Sequence, residues 1–116
     1  MNSVFKYEVP IEDRFKLMLP KHAKILSFQA QHERPQIWAL VDPEEEAMER
    51  EFRLAGTGHP IDEREDNLHY LGTCQMHDGG LVWHLFEIFR FCPPHIGFGA
   101  TLAVLESLFR ETGVST

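Results

Sequence analysis

The sequence predicts a mainly β domain (all-β or α+β), in which antiparallel hairpins form a small sandwich or a partly open barrel and one α-helix follows at the C-terminal end. Three observations lead to this prediction. Several short segments alternate apolar and polar residues with a period of two, which is typical of half-buried strands. The pair Asp78-Gly79, a strong signal for a tight hairpin turn, stands between two such segments. A stripe of apolar residues at helical spacing comes after Pro93-Pro94.

The chain has 116 residues, which is enough for one hydrophobic core. We expect a single domain over 1–116, with an antiparallel β region in 1–89 and a proline-rich break and helix in 90–116. The apolar runs are much shorter than the ~20 residues that span a bilayer. The first residues do not have the pattern of a signal peptide. These features predict a cytoplasmic protein with no membrane partner.

The first predicted hairpin lies near the N-terminus. Residues 5–9 and 15–19 alternate in period two, and Pro20 ends the second segment because it has no amide hydrogen for a ladder. A turn over 10–14 would place only apolar residues opposite each other. The predicted pairs are Val9 with Phe15, Tyr7 with Leu17 and Phe5 with Leu19.

A second hairpin is predicted from 24–32 and 36–42, with its turn around His32–Pro35. Its second strand is apolar on both faces, which indicates a central strand. Asp42 followed by proline and glutamates is typical of a helix start, and we expect one or two helical turns to about Arg50. A plain acidic loop is the alternative. The segment 51–55 then reads as another strand, with Phe52 and Leu54 facing inward.

The third hairpin covers 68–89. A two-residue turn at Asp78-Gly79 is chosen over a three-residue turn because it alone collects the apolar residues on one face. It pairs His77 with Gly80, Met76 with Leu81, Cys74 with Trp83, Thr73 with His84, Gly72 with Leu85 and His69 with Ile88.

The C-terminal helix is predicted over about 99–112, with Gly113 as its C-cap. Its apolar stripe has two interpretations. It closes the domain's own core, or it presents an apolar face to a partner chain, including a second copy in a homodimer. The residues of the stripe are Phe98, Leu102, Leu105 and Phe109.

The seven histidines suggest a metal site, but the predicted register spreads His69, His77 and His84 too far apart for one tetrahedral centre. We therefore predict no metal, no cofactor and no catalytic residue, because no hydrolase or zinc motif occurs either. Cys74 and Cys92 are expected to be reduced thiols, with a single bridge between them as the alternative.

The segment Gly56-Thr57-Gly58-His59-Pro60 has two interpretations. In the first, the glycines expose backbone amides to an anion, and His59 carries a proton beside Asp62. In the second, the segment is a tight turn between two strands. The turn is favoured, because the acidic residues that follow would repel a phosphate.

Negative charge is concentrated in 42–66, which contains ten acidic and three basic residues. The net charge of the whole chain is −7. Such a surface repels nucleic acid and suits a basic groove on a partner protein. The alternative is a solvated band that serves solubility. The candidate partner-binding residues are Glu44, Glu45, Glu46, Glu49, Asp62, Glu63, Glu65 and Asp66.

Several short motifs resemble a family of uncharacterised proteins that bacteriophages and prophages encode. They are Phe5-Lys6-Tyr7, Trp38-Ala39-Leu40-Val41-Asp42, Phe52-Arg53, Gly56-Thr57-Gly58-His59-Pro60-Ile61, Tyr70-Leu71-Gly72-Thr73 and His84-Leu85-Phe86-Glu87. The resemblance covers about 4–87 and implies a setting in the cytoplasm of a bacterial host, without an activity.

The expected function is that of a non-enzymatic phage accessory protein that binds a host macromolecule, for example to block a CRISPR or restriction system. A small enzyme that uses His59 and nearby carboxylates is one alternative. A structural or assembly component of the virion is another.

Overall fold

The computed structural model describes residues 1–90, which form seven strands in two antiparallel sheets. The mainly β prediction is confirmed, and within these residues the sheets do not close into a barrel. The strands are β1 (Ser3–Glu8), β2 (Arg14–Pro20), β3 (Lys24–Gln31), β4 (Arg34–Val41), β5 (Ala47–Gly56), β6 (Leu68–Met76) and β7 (Leu81–Ile88), with a short 3₁₀ turn at Glu65–Asn67.

The strands form a three-stranded sheet in the order β1-β4-β3 and a four-stranded sheet in the order β2-β5-β7-β6. Side chains from both sheets meet in one core, to which Phe28 and Ile37 contribute from one sheet and Phe52 and Leu85 from the other. Because neighbouring residues of a strand point to opposite faces, each sheet also has an outer face. The outer face of the four-stranded sheet carries the candidate site.

The predicted pairing of β1 with β2 is wrong. β1 pairs with β4, and β2 pairs with β5 in the other sheet. The segment between them crosses from one sheet to the other, where the amide of the buried Val9 donates to Pro35 O at 3.0 Å. The alternation identified inward residues of β2, since Phe15 and Leu19 are buried, but Phe5 of β1 is 40% exposed. A period of two shows which face a residue occupies, but it does not identify the neighbouring strand.

The hairpin of β3 and β4 is confirmed, but its turn is two residues shorter than predicted, because Arg34 and Pro35 belong to β4 and Gln31 lies opposite Arg34. Its two turn residues, His32 and Glu33, have φ values of 54° and 61°. Positive φ at both central residues is the signature of a type I′ turn. β4 is the central strand of its sheet, as its apolar composition predicted.

The predicted helix after Asp42 is wrong, and the alternative of an acidic loop is correct. Asp42 Oδ1 accepts a hydrogen bond from the Glu44 amide at 3.1 Å, and Asp42 O accepts one from the Glu45 amide at 3.0 Å. These bonds close a tight turn, and β5 begins at Ala47. The side chain expected to cap a helix therefore caps a turn. In β5, Phe52 and Leu54 are buried as predicted.

The register of β6 and β7 is confirmed from Gly72–Leu85 to Met76–Leu81. A β-bulge between Tyr70 and Gly72 then shifts the pairing by one residue. His69 consequently lies opposite Glu87, and the predicted pairing with Ile88 is wrong. A bulge adds one residue to one strand, and period-two reasoning has no means of placing it.

A buried ion pair lies on the inner face of the four-stranded sheet. Arg50 donates to both carboxylate oxygens of Glu87 at 2.7 Å, and its Nη1 donates to Ala23 O. The two side chains are 14% and 4% exposed. Their paired geometry satisfies charges that would otherwise be costly to bury.

The predicted C-terminal helix lies outside the described residues, as do its stripe of Phe98, Leu102, Leu105 and Phe109 and the second cysteine, Cys92. Within residues 1–90, no helix is long and apolar enough to cross a membrane.

We predict that Gly79→Val lowers the free energy of unfolding by about 1 to 3 kcal/mol, because Gly79 has a φ of 90°, which a β-branched residue adopts only under strain. His77 and Asp78 also have positive φ values, of 53° and 54°, so the whole turn has a left-handed backbone. Denaturant unfolding measures the loss. Gly79→Asn is the matched control, since asparagine tolerates positive φ, and an equal loss in both variants would contradict the argument.

Candidate functional site

The loop that follows β5 begins with a tight turn. The His59 amide donates to Gly56 O at 3.0 Å, and Gly58 has a φ of 90°. A Cβ atom on Gly56 would lie 2.9 Å from the His59 ring, so the ring packs over a position that only glycine leaves open. The segment is thus the turn that its glycines favoured.

The rest of this loop is held against the outer face of the four-stranded sheet by Arg53. The Nε of Arg53 donates to Glu63 at 2.9 Å, its Nη1 to Leu54 O at 2.9 Å and its Nη2 to Pro60 O at 3.0 Å. The side chains of Arg53 and Glu63 are only 6% and 5% exposed. Arg14 of β2 binds the other oxygen of Glu63. One buried carboxylate therefore joins two strands to the loop.

The ionisation of Glu63 reflects these contacts. Burial alone would raise the pKa of its carboxyl group, but the hydrogen bonds from Arg14 and Arg53 outweigh burial, and the pKa is lowered. Glu63 is consequently a charged anchor of the fold.

An open cleft of about 530 Å³ lies beside this anchor. We call it the arginine cleft. Each of its three arginines forms an ion pair with a carboxylate. Arg14 pairs with Asp62 at 2.7 Å, Arg64 with Asp66 at 2.9 Å and Arg90 with Glu51 at 2.7 Å. Its lining residues are Arg14, Asp62, Glu63, Arg64, Asn67 and Arg90. Arg14 and Arg90 are remote in sequence from the loop between β5 and β6, so sequence reasoning missed the cleft.

The eight carboxylates proposed for partner binding fall into two groups. Glu63 is buried, while Asp62, Asp66 and Glu49 form ion pairs with Arg14, Arg64 and Lys16. Among residues 1–90, no ion pair involves the remaining four. Three of these form the tight turn before β5 and the fourth lies in the 3₁₀ turn; they are Glu44, Glu45, Glu46 and Glu65.

A chain of polar side chains crosses the outer face of the same sheet. Tyr70 OH and Thr73 Oγ1 are 2.5 Å apart, Thr73 Oγ1 lies 2.9 Å from His84 Nδ1, and His84 Nε2 lies 2.6 Å from Thr57 Oγ1. His84 thereby ties the start of the loop to β6. The predicted register already placed Thr73 opposite His84, whereas Thr57 comes from a loop whose path the sequence did not reveal.

No group of three or more histidine, cysteine, aspartate or glutamate side chains in residues 1–90 is arranged to hold a metal ion. The Cys74 thiol is buried, and burial raises its pKa. This thiol is therefore a poor nucleophile and a poor metal ligand.

The family model described as "Domain of unknown function (DUF7352)" matches residues 1–90. The chain belongs to this family. No curated protein and no solved structure matches the chain.

We predict that Glu63→Gln costs about 3 kcal/mol of folding free energy at neutral pH, because it removes the buried counter-charge of Arg53 and leaves only the exposed Asp13 at 3.8 Å. The lowered pKa of Glu63 means that this stabilisation is complete above the unfolded-state pKa of about 4.3 and is lost as the pH falls through the folded-state value. Urea unfolding of both proteins from pH 7 downward should show the difference shrinking in acid. Glu65→Gln is the control, since Glu65 is exposed, and a pH-independent difference for Glu63→Gln would contradict the assignment.

We also predict that the purified protein carries no stoichiometric zinc or iron. Elemental analysis by mass spectrometry checks this expectation. About one transition metal ion per chain would overturn it.

Proposed function

We propose that this chain is a non-enzymatic, phage-encoded accessory protein that binds a host macromolecule in the bacterial cytoplasm through the tight turn before β5. The observation that carries the proposal is the set of three adjacent, exposed glutamates in this turn, Glu44, Glu45 and Glu46, for which residues 1–90 supply no ion-pair partner. We call this segment the acidic turn.

The acidic turn is suited to recognition because its backbone is fixed. Asp42 closes it from one side, and the Lys21 amide donates to Glu46 O at 2.8 Å from the other. A charged surface that is already ordered loses little conformational entropy on binding. The partner would therefore meet three preorganised carboxylates.

The chemistry of the partner follows from this charge. Carboxylates favour a basic surface and repel phosphate backbones, so we propose a host protein and not nucleic acid as the direct partner. A groove that normally binds nucleic acid has such a surface. Inhibition of a host defence system of the CRISPR or restriction type is the specific form that we propose.

The phage setting rests on the resemblance of the sequence motifs. A homodimer through the stripe of Phe98, Leu102, Leu105 and Phe109 is compatible with this function, and that stripe belongs to the part of the chain beyond Arg90. The homodimer is tested by truncating the chain after Phe91 and measuring the mass of the truncated protein in solution. A truncated protein that is folded and monomeric would identify the removed stripe as an interface.

The decisive comparison uses two double variants that change the net charge equally. The first reverses Glu44 and Glu45 to lysine, and the second reverses Glu8 and Glu12, which are exposed and are not candidate partner-binding residues. We expect the first to weaken partner binding by about tenfold or more and to flatten its salt dependence. The second should change affinity much less. The partner is obtained from host lysate, and its affinity is then measured by calorimetry at several salt concentrations.

His59→Ala separates this function from the enzymatic alternative. Loss of an acid or base costs catalysis orders of magnitude while leaving a complex intact, whereas we expect His59→Ala to preserve both binding and phenotype. The proposed binding function would be wrong if His59→Ala abolished the phenotype while the protein stayed folded, and if reversal of Glu44 and Glu45 left the phenotype intact.

A further inference from the structure

The arginine cleft brings three guanidinium groups to one open surface of a protein whose net charge is −7. Arg14 comes from β2, Arg64 from the loop between β5 and β6, and Arg90 from the segment that follows β7. Asn67 adds a side-chain amide to the lining. We propose that this cleft binds the phosphate group of a small molecule.

The guanidinium groups retain donors for a ligand. Each of the three uses its Nε and Nη2 atoms for carboxylates: Arg14 for Glu63 and Asp62, Arg64 for Asp66, and Arg90 for Glu51. These bonds account for two of the five N–H donors on each group. Arginine forks match the geometry of phosphate oxygens and bind them with paired hydrogen bonds.

The carboxylates that pair with the arginines of the cleft differ in how firmly they are held in place. The side chains of Asp62 and Asp66 are 78% and 66% exposed, and exposed ion pairs contribute little free energy. Glu63 is 5% exposed and is also bound by Arg53. The carboxylates expected from the sequence to repel a phosphate are thus paired with arginines, and a phosphate can displace Asp62 and Asp66 while the anchor of the loop stays intact.

The cleft has room for a ligand larger than a free phosphate ion. Its volume of about 530 Å³ falls within the range of small-molecule sites. A phosphate monoester of a small metabolite would place its phosphate on the arginines and its remaining atoms in the open part. Inorganic phosphate presents the same anchoring chemistry without the additional contacts.

Titration calorimetry of the full chain in a phosphate-free buffer of low ionic strength tests the site, with inorganic phosphate, adenosine 5′-monophosphate, adenosine and citrate as probes. We expect saturable binding of the two phosphates and none of adenosine. Tighter binding of the monoester than of the free ion would assign a metabolite, and equal binding would assign phosphate itself. Either result supports the site.

The double variant Arg64→Gln, Arg90→Gln should weaken phosphate binding by at least about tenfold, since both groups are exposed and can be removed without opening the core. The double variant Lys6→Gln, Arg34→Gln is the matched control, because it also removes two positive charges. Both residues are exposed and lie on the other sheet. Thermal unfolding of each variant verifies the fold.

Three results would overturn the proposal: no saturable binding of either phosphate, equal binding of citrate, or equal loss of affinity in the Lys6 and Arg34 control. None of these depends on the acidic turn, so failure here leaves the proposed partner binding untouched.

Discussion

The buried contact between Arg53 and Glu63 determines the path of the loop between β5 and β6. Arg53 follows Phe52 in β5, so it points away from the core toward the outer face of the sheet. A guanidinium that is 6% exposed there requires a counter-charge and hydrogen-bond acceptors. The loop supplies both, through the carboxylate of Glu63 and the carbonyl of Pro60. The position of the loop follows from satisfying one buried cation.

The path of this loop also places acidic residues beside arginines from other parts of the chain. In the sequence, 42–66 is a band of acidic residues. In the fold, Arg53, Arg14, Arg64 and Arg90 meet the carboxylates of Glu63, Asp62, Asp66 and Glu51. Asp13 also lies 3.8 Å from Arg53, so the network contains four positive and five negative groups and is close to neutral. A count of charges along the sequence cannot detect such pairing, because two of the arginines come from distant strands.

The elements that could be predicted from sequence are those whose signals are local. The hairpin of β6 and β7 has Asp78-Gly79 in its turn, and the inward alternation of its strands specifies one register. The hairpin of β3 and β4 has a short turn between apolar strands. Both were predicted because a tight turn forces its two strands to be neighbours.

The pairings that could not be predicted are nonlocal. The segment of β1 and β2 satisfied every local criterion for a hairpin, with apolar residues at every facing position, yet the two strands lie in different sheets. β4 and β5 are the central strands that receive them. The error at Asp42 has a similar origin, since an aspartate, a proline and glutamates begin a helix or close a turn equally well until the pairing of β5 decides. The arginine cleft was missed for the same reason.

The acidic turn and the arginine cleft differ in charge because the acidic residues of 42–66 lie at the two ends of β5. The turn that precedes β5 retains Glu44, Glu45 and Glu46 without ion pairs among residues 1–90, whereas the loop that leaves its other end has most of its carboxylates paired with arginine. Negative potential is thus concentrated at the turn, and guanidinium groups with spare donors are concentrated in the cleft. A basic macromolecule and a small anion would consequently select different surfaces of this domain, and one strand separates them.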